Sequence, residues 1–270
     1  MDKNSFVTEA DAALGTQFLE SGFVVRDVED ISSFEKLQNK VVQAANSYLC
    51  APAPGSSASF LNMIHEQVTP STINDLRLHI LATLSQDDTV RALYYSLAKD
   101  CLAALVGNEL AMQIRINLSV QLPGDSSSLL PVHADTWSGD SPFEVVVWVP
   151  LVDCFDTKSM YLLPPAKLEL VDEFFKEKSK LESSEDLFRE IEREVVWINA
   201  KEGQFVLFNQ SLPHGNRVNQ EVETRWSMNC RFKSVFSPYQ DKKLGEFFEP
   251  ITLRPASRVG IYYRFPGEVG

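Results

Sequence analysis

A change of hydrophobic period near residue 110 is the feature that most constrains the fold of this chain. Before it, apolar residues recur at helical spacing; after it, apolar and polar residues alternate over short segments. The clearest case is residues 113–122, in which Ile114, Ile116 and Leu118 begin an apolar face and the residues between them form a polar one. This pattern favours a helical N-terminal part beside a β-rich part over alternating βαβ units.

The predicted β-rich part continues to the end of the chain with one interruption. After residues 113–122, further strands are predicted at residues 144–151, 159–163, 194–198, 204–208, 225–233 and 259–265. Residues 166–193 interrupt them with a charged, helix-favouring insertion, and residues 51–59 (APAPGSSAS) predict a surface loop or a flexible lid. Many short strands separated by turns are typical of a β-barrel or jelly roll.

The N-terminal part is predicted to be helical with one early strand at Phe23 to Val25. One of its helices is expected to begin near Ser85 and to end at Gly107. We therefore predict a single domain over residues 1–270. In it, the mostly helical residues 1–109 pack on a β core of residues 110–265.

The acidic composition excludes two classes of partner. The net charge is −12, whereas nucleic acids and anionic membrane surfaces both require a basic protein surface. No apolar run approaches the roughly 20 residues of a membrane span, and the first residues lack a signal-peptide pattern. The four cysteines have no C-x-x-C spacing and favour buried thiols in a reducing compartment. We expect a cytoplasmic protein that binds a small molecule.

His133-x-Asp135 and the later His214 predict a metal site. Two imidazoles and one carboxylate can hold iron(II) on one face and leave the other face open for reactants. On a strand, residues two apart point to the same side, so His133 and Asp135 could reach one ion. His214 follows a strand and would come from elsewhere in the barrel. His65 and His79 lie in predicted helices without an acidic partner at ligand spacing.

Arg225-x-Ser227 follows His214 and predicts a carboxylate site. The strand alternates cleanly, which places Arg225 and Ser227 on one face. A guanidinium binds a carboxylate through two parallel hydrogen bonds, and a hydroxyl two residues along can donate to the same oxygens. The metal ligands and this pair together suggest a non-heme iron oxygenase that uses 2-oxoglutarate.

Five further polar side chains are predicted on strand faces that point into the barrel. Asn117 and Gln121 are candidates for contacts with the co-substrate. Arg115, Asn229 and Arg231 are candidates for contacts with the substrate. The alternative for all five is the solvated face of a sheet.

The order of these motifs resembles the iron(II)/2-oxoglutarate-dependent dioxygenase superfamily, and the blocks around them resemble its phytanoyl-CoA dioxygenase branch. The blocks are residues 16–25 (TQFLESGFVV), residues 159–164 (SMYLLP) and residues 203–208 (GQFVLF) before His214-Gly215. Residues 133–151 are also similar to members found in carbohydrate and antibiotic-sugar gene clusters. The matches span most of residues 16–232.

The resemblance implies a double-stranded β-helix with flanking N-terminal helices and a helical insertion. It implies that His133, Asp135 and His214 bind iron(II), and that Arg225 and Ser227 bind the distal carboxylate of 2-oxoglutarate. With O2 as the third reactant, the expected reaction is hydroxylation of a small molecule with release of succinate and CO2.

The sequence constrains the identity of the substrate less than it constrains the metal and the co-substrate. The insertion at residues 166–193 and Pro164-Pro165 depart from the turn that the branch often has there. A polar pocket favours a sugar or a nucleotide-sugar-derived metabolite over a long lipid. Two alternatives remain: a cupin-type metalloenzyme (an isomerase or a dioxygenase independent of a keto acid), and a non-catalytic barrel used for binding. The first does not account for Arg225-x-Ser227.

Overall fold

Helices form most of the chain before residue 110, as predicted. The computed structural model of the chain describes residues 6–50, 55–177 and 183–267. The helices of this first part are α1 (Glu9–Ser21), α2 (Ile31–Leu49), α3 (Ser57–Asn62), α4 (Ile73–Ser85), α5 (Thr89–Ser96) and α6 (Lys99–Leu105). Strand β1 (Phe23–Asp27) lies between α1 and α2. The predicted loop at residues 51–59 is shorter than expected, because α3 begins at Ser57; residues 51–54 lie outside the described residues.

The prediction of one helix from Ser85 to Gly107 is wrong, because two helices occupy this stretch. The break falls at the buried Ala98, whose backbone is not helical. Glu29 supplies the physical reason. Its carboxylate accepts hydrogen bonds from the backbone N–H groups of Asp100 (2.7 Å) and Cys101 (2.9 Å). These groups begin α6, so a distant side chain caps a new helix inside an apparently continuous apolar stripe.

The β-rich part forms two antiparallel sheets. The strands after β1 are β2 (Leu110–Gln113), β3 (Asn117–Gln121), β4 (Glu144–Pro150), β5 (Tyr161–Leu162), β6 (Val196–Trp197), β7 (Gln204–Asn209), β8 (His214–Gly215), β9 (Arg225–Ser234) and β10 (Phe248–Pro250). The larger sheet has the order β1-β7-β4-β9-β2-β10, and β3 also pairs with β9. The smaller sheet has the order β6-β5-β8.

Two predicted strands differ from the observed ones. Residues 113–122 are split between β2 and β3. Met112 pairs with Phe232 and Asn117 pairs with Asn229, so five steps along one strand face three along β9 and the extra residues bulge out. The predicted strand at residues 259–265 is wrong, because helix α9 (Pro255–Ile261) occupies its start. Proline at the first position of a helix is favoured, since its fixed φ suits that position.

The insertion is helical, as predicted, and covers the smaller sheet. It forms α7 (Leu168–Glu177) and α8 (Ser184–Ile191), while residues 178–182 of the predicted insertion lie outside the described residues. Phe174, Phe188 and Ile191 pack in one buried cluster with Tyr161 of β5. Burial of these side chains fixes the face of the smaller sheet at β5, and the neighbouring strand β8 carries His214.

Two expectations from composition can be compared with the described chain. No helix among the described residues is long and apolar enough to cross a membrane. Cys101, Cys154 and Cys230 are buried free thiols, as expected, whereas Cys50 is exposed.

Candidate functional site

The three predicted metal ligands come together where the two sheets meet. His133 and His214 face each other in an antiparallel bridge, with N–O distances of 3.0 and 2.8 Å and ring centroids 4.4 Å apart. Asp135 begins a short 3₁₀ turn at residues 135–138, and its backbone N–H donates to Gln210 O. One ligand atom from each of the three residues lies within 4.8 Å of the others, which fits a single ion.

Both imidazoles present a free nitrogen to this point. His133 Nδ1 lies 2.8 Å from Pro131 O, and His214 Nδ1 lies 2.8 Å from Leu212 O. A carbonyl only accepts, so each Nδ1 carries the proton and each Nε2 keeps its lone pair for a metal. Burial lowers the pKa of His214 to about 4, so this ring is neutral at pH 7.

Gly215 permits the close packing beside His214. A Cβ atom on Gly215 would lie 2.7 Å from both Leu130 O and the Tyr161 hydroxyl oxygen. Any other residue would push β8 away from Tyr161 of β5 and from the backbone at Leu130. The His-Gly sequence therefore reflects a steric requirement of the bridge that sets the position of His214.

Arg231 lies beside the carboxylate of Asp135, one of the three predicted metal ligands. Its Nη2 donates to Asp135 Oδ2 at 2.7 Å, and its Nε donates to Gln210 Oε1 at 2.9 Å. Asp140, which also pairs with Lys242, lies 3.4 Å from Arg231 Nε. The guanidinium thus holds one oxygen of Asp135, which leaves the other, Oδ1, 3.5 Å from His133 Nε2 and 4.0 Å from His214 Nε2.

We expect Arg231→Gln to weaken iron(II) binding by roughly 10- to 100-fold, the usual cost of losing a group that orients a metal ligand. The dissociation constant is measured by competition with a coloured chelator, on the folded fraction of each variant. Arg115→Gln is the matched control, because Arg115 is exposed. Equal affinity in wild type and Arg231→Gln would show that Asp135 is held by other contacts.

The predicted carboxylate site lies on β9 in the same cavity. Arg225 is buried; its Nη1 donates to Ser159 O at 3.1 Å and its Nη2 donates to Ser119 Oγ at 2.8 Å. Ser227 is fully buried and lines the cavity with Arg225. Burial lowers the pKa of Arg225 to about 10, a value at which the guanidinium is still charged at pH 7.

The charge of Arg225 has no counter-ion among the described residues. Its hydrogen-bond partners are a neutral carbonyl and a neutral hydroxyl, and its Nε has no partner at all. The Ser227 hydroxyl and the nearby Ser159 hydroxyl are likewise buried without a hydrogen-bond partner. Native structures rarely leave buried charged and polar groups unpaired. A buried guanidinium surrounded by hydroxyl donors without a partner therefore fits the binding of an anionic ligand.

Of the other predicted polar residues, some line the cavity and some do not. Asn117 and Asn229 line the cavity, with Asn117 Nδ2 donating to Asn229 Oδ1 at 2.9 Å. Gln121 is fully buried and donates to Arg217 O at 2.6 Å, outside the cavity lining. Arg115 is exposed in the bulge between β2 and β3 and does not line the cavity. Arg231 lines it, but its donors are taken by Asp135 and Gln210.

The cavity that joins the metal ligands and Arg225 has a volume of about 700 Å³. Its walls include Trp148, Met160 and Phe208, which are apolar and buried. Ser119 and Arg77 are two of the polar lining residues that were not among the predicted site residues. Ser119 lies on the polar face of the predicted strand and could have been found from the alternation. Arg77, on α4, could not, because it belongs to a helix whose position depends on packing.

The two remaining histidines lie in helical segments, as predicted, and outside the cavity. His65 Nδ1 lies 3.0 Å from Thr224 Oγ1, and the His79 ring packs 5.3 Å from the Tyr48 ring. Neither lines the cavity.

Comparison with solved structures identifies the fold. The chain is similar to the non-heme monooxygenase ThoJ in its nickel complex, at 18% identity and a TM-score of 0.52, over 83% of this chain and 79% of ThoJ. It is similar to AviO1 from Streptomyces viridochromogenes Tue57, at 14% identity and a TM-score of 0.54, over 87% of this chain and 99% of AviO1.

A third similar structure is EctD from S. alaskensis with 2-oxoglutarate and 5-hydroxyectoine, at 20% identity and a TM-score of 0.50, over 87% of this chain and 79% of EctD. No protein-family model and no curated protein sequence matches the chain. The predicted fold, a jelly-roll core with helical additions, is confirmed.

Proposed function

We propose that this protein is an iron(II)- and 2-oxoglutarate-dependent oxygenase that hydroxylates a small molecule. One observation carries the proposal: a buried arginine, with no counter-ion in the part of the chain that the structure describes, shares a cavity with two histidines and an aspartate at metal-binding distance. The triad alone would fit many metalloenzymes. A positively charged site for a second carboxylate, beside the metal, fits a dicarboxylate that chelates the ion at its other end.

The residues of the site would have different roles: some would bind the iron or the keto acid, one would orient an iron ligand, and others would exclude water. His133, Asp135 and His214 would bind iron(II) on one side, and Arg231 would keep Asp135 Oδ2 occupied so that Oδ1 faces the ion. Arg225 and Ser227 would bind the distal carboxylate of 2-oxoglutarate. When bound, the iron, the keto acid and O2 supply the oxidising chemistry, with succinate, CO2 and a hydroxylated substrate as products.

The apolar walls support this assignment. Trp148, Met160 and Phe208 line the cavity between the polar groups and are almost fully buried. A dry wall strengthens the attraction between Arg225 and a carboxylate, because fewer water molecules screen the two charges. It also keeps solvent from the reacting atoms.

Two features support a polar substrate, such as a sugar or a nucleotide-sugar-derived metabolite. Asn117 and Asn229 line the cavity, and the Asn117 Oδ1 and Asn229 Nδ2 that their mutual hydrogen bond leaves can bind hydroxyls. A similar structure, EctD, is described with the polar compound 5-hydroxyectoine. A cupin-type isomerase or keto-acid-independent dioxygenase is the second candidate; the triad fits it, but Arg225 would then have no ligand.

An anaerobic titration tests the proposal. Iron(II) is added to the metal-free protein, followed by 2-oxoglutarate, and the weak visible charge-transfer band of the keto-acid chelate is expected to appear and to saturate. Glutarate is the control ligand, because it has both carboxylates but lacks the keto oxygen and should give no band. Iron binding without a band on adding 2-oxoglutarate would favour the cupin-type alternative.

A further inference from the structure

A second arginine lines the cavity on the wall formed by helix α4. Arg77 is partly buried, and its Nε and Nη2 donate to Asn74 Oδ1 at 3.3 and 2.8 Å. Both residues line the cavity together with Ile73. Residues three or four apart share one face of a helix, so the first two turns of α4 present a polar pair beside an apolar side chain.

Arg77 has no ion-pair partner among the described residues. Its acceptor, Asn74, is neutral. The described cavity lining includes one carboxylate, Asp135, which is already engaged by Arg231. Asp125 lies near the loop that lines the cavity, but the hydroxyls of Ser127 and Ser128 donate to its Oδ2.

The local charge is therefore opposite to that of the whole protein. The net charge is −12, yet the cavity contains an uncompensated guanidinium on α4 in addition to the one on β9. The first turn of α4 contains the acidic Asp75, and Arg77 lies one turn further along the helix. The Arg77 guanidinium, and not the helix terminus, is therefore the group on this wall that an anion would pair with.

Asn74 completes the geometry. The Oδ1 atom of Asn74 accepts hydrogen bonds from Arg77. The Nδ2 group of Asn74 keeps its donors for a ligand, because no described residue accepts a hydrogen bond from it. The guanidinium and the amide can therefore donate together to one anionic group, with Ile73 against the adjoining apolar part of the ligand.

We propose that the substrate carries an anionic group, a carboxylate or a phosphate, that Arg77 and Asn74 bind. The proposal rests on the function proposed above, in which Arg225 binds the co-substrate; Arg77 is then the cavity cation that remains for the substrate. It narrows the substrate class from polar molecules in general to acidic or phosphorylated ones, and it makes Arg77 a determinant of specificity.

The test uses side-chain NMR of ¹⁵N-arginine-labelled protein, loaded with one equivalent of zinc(II) and saturated with 2-oxoglutarate. Zinc replaces iron to keep the protein diamagnetic and redox-inactive. The Arg77 Nε–H signal is assigned by its loss in Arg77→Gln. Methyl phosphate, acetate and the neutral glycerol are then added separately. A saturable shift of this signal with methyl phosphate or acetate, and none with glycerol, is expected.

The two anions distinguish the chemistry of the anionic group on the substrate. Tighter binding of methyl phosphate indicates a phosphate, and tighter binding of acetate indicates a carboxylate. Binding is also followed in Arg77→Gln by calorimetry, with at least a ~10-fold rise in the dissociation constant expected for loss of the charged partner. Arg258→Gln, which changes an exposed arginine on α9, is the matched control and should leave the titration unchanged.

Three outcomes would overturn the proposal. The Arg77 Nε–H signal could stay unshifted with both anions, or it could shift as strongly with glycerol as with the anions. It could also shift on adding 2-oxoglutarate while Arg77→Gln weakens the binding of that acid, in which case Arg77 belongs to the co-substrate site. Failure of 2-oxoglutarate to bind the zinc-loaded wild type would instead contradict the proposed function.

Discussion

Replacing Arg225 with methionine should abolish 2-oxoglutarate binding without destabilising the ligand-free protein. The expected loss of affinity is about 100-fold or more, since a buried charged pair that loses one partner costs about 3 kcal/mol. Methionine fills a similar volume and removes a guanidinium that is buried without a counter-ion. Relief of that unpaired charge offsets the lost hydrogen bonds to Ser159 O and Ser119 Oγ.

Two measurements separate these effects. The amplitude of the chelate band against 2-oxoglutarate concentration gives the affinity, and urea unfolding of the metal-free protein gives the stability. We expect the free energy of unfolding to stay within about 1 kcal/mol of wild type. Arg258→Met, at an exposed site, should change neither quantity. A variant that unfolds several kcal/mol more easily would show that Arg225 is structural, and an unchanged affinity would place the keto acid elsewhere.

The sequence predicted correctly that Arg225 and Ser227 share one face, because β9 is a long strand paired on both sides. β9 pairs with β4 on one side and with β2 and β3 on the other. Such pairing enforces strict alternation, so Arg225, Ser227, Asn229 and Arg231 all line one cavity. The same rule failed at Arg115, because a bulge interrupts the opposite strand and local alternation does not reveal a bulge.

The three predicted metal ligands come together for a physical reason that differs in part from the one expected. His133 and Asp135 do reach one point, but not as neighbours on a regular strand. His133 forms an isolated bridge to His214, and Asp135 begins a 3₁₀ turn whose direction is set by its hydrogen bond to Gln210 O. The spacing of the histidine and the aspartate still brings their side chains to one point. Whether two such side chains meet depends more on their length than on whether the backbone between them is a strand or a turn.

Contacts across large sequence separations could not be predicted. Glu29 caps α6, Arg231 binds Asp135 from β9, and Arg77 reaches the cavity from α4. Each depends on how elements pack, and neither periodicity nor motif spacing reports packing. A single sequence therefore leaves open the residues that surround the candidate site, whereas the residues proposed as ligands were picked out by their spacing.

Replacing His214 with alanine should abolish stoichiometric iron(II) binding. His214 is buried and neutral and directs Nε2 toward Asp135 Oδ1, so its loss removes a ligand and leaves a gap that a water molecule fills less tightly. Loss of a group that only orients a ligand costs roughly 10- to 100-fold in affinity. The loss expected for His214→Ala is larger than the loss in Arg231→Gln.

The chain contains its own controls for this experiment. His65 and His79 are the other histidines, and neither lines the cavity. After anaerobic loading and desalting, His65→Ala and His79→Ala should retain one iron per chain, whereas His214→Ala should retain almost none. Alanine preserves the backbone bridge to His133, so the variant should keep its fold. Tight stoichiometric iron in His214→Ala would mean that the third ligand is another residue.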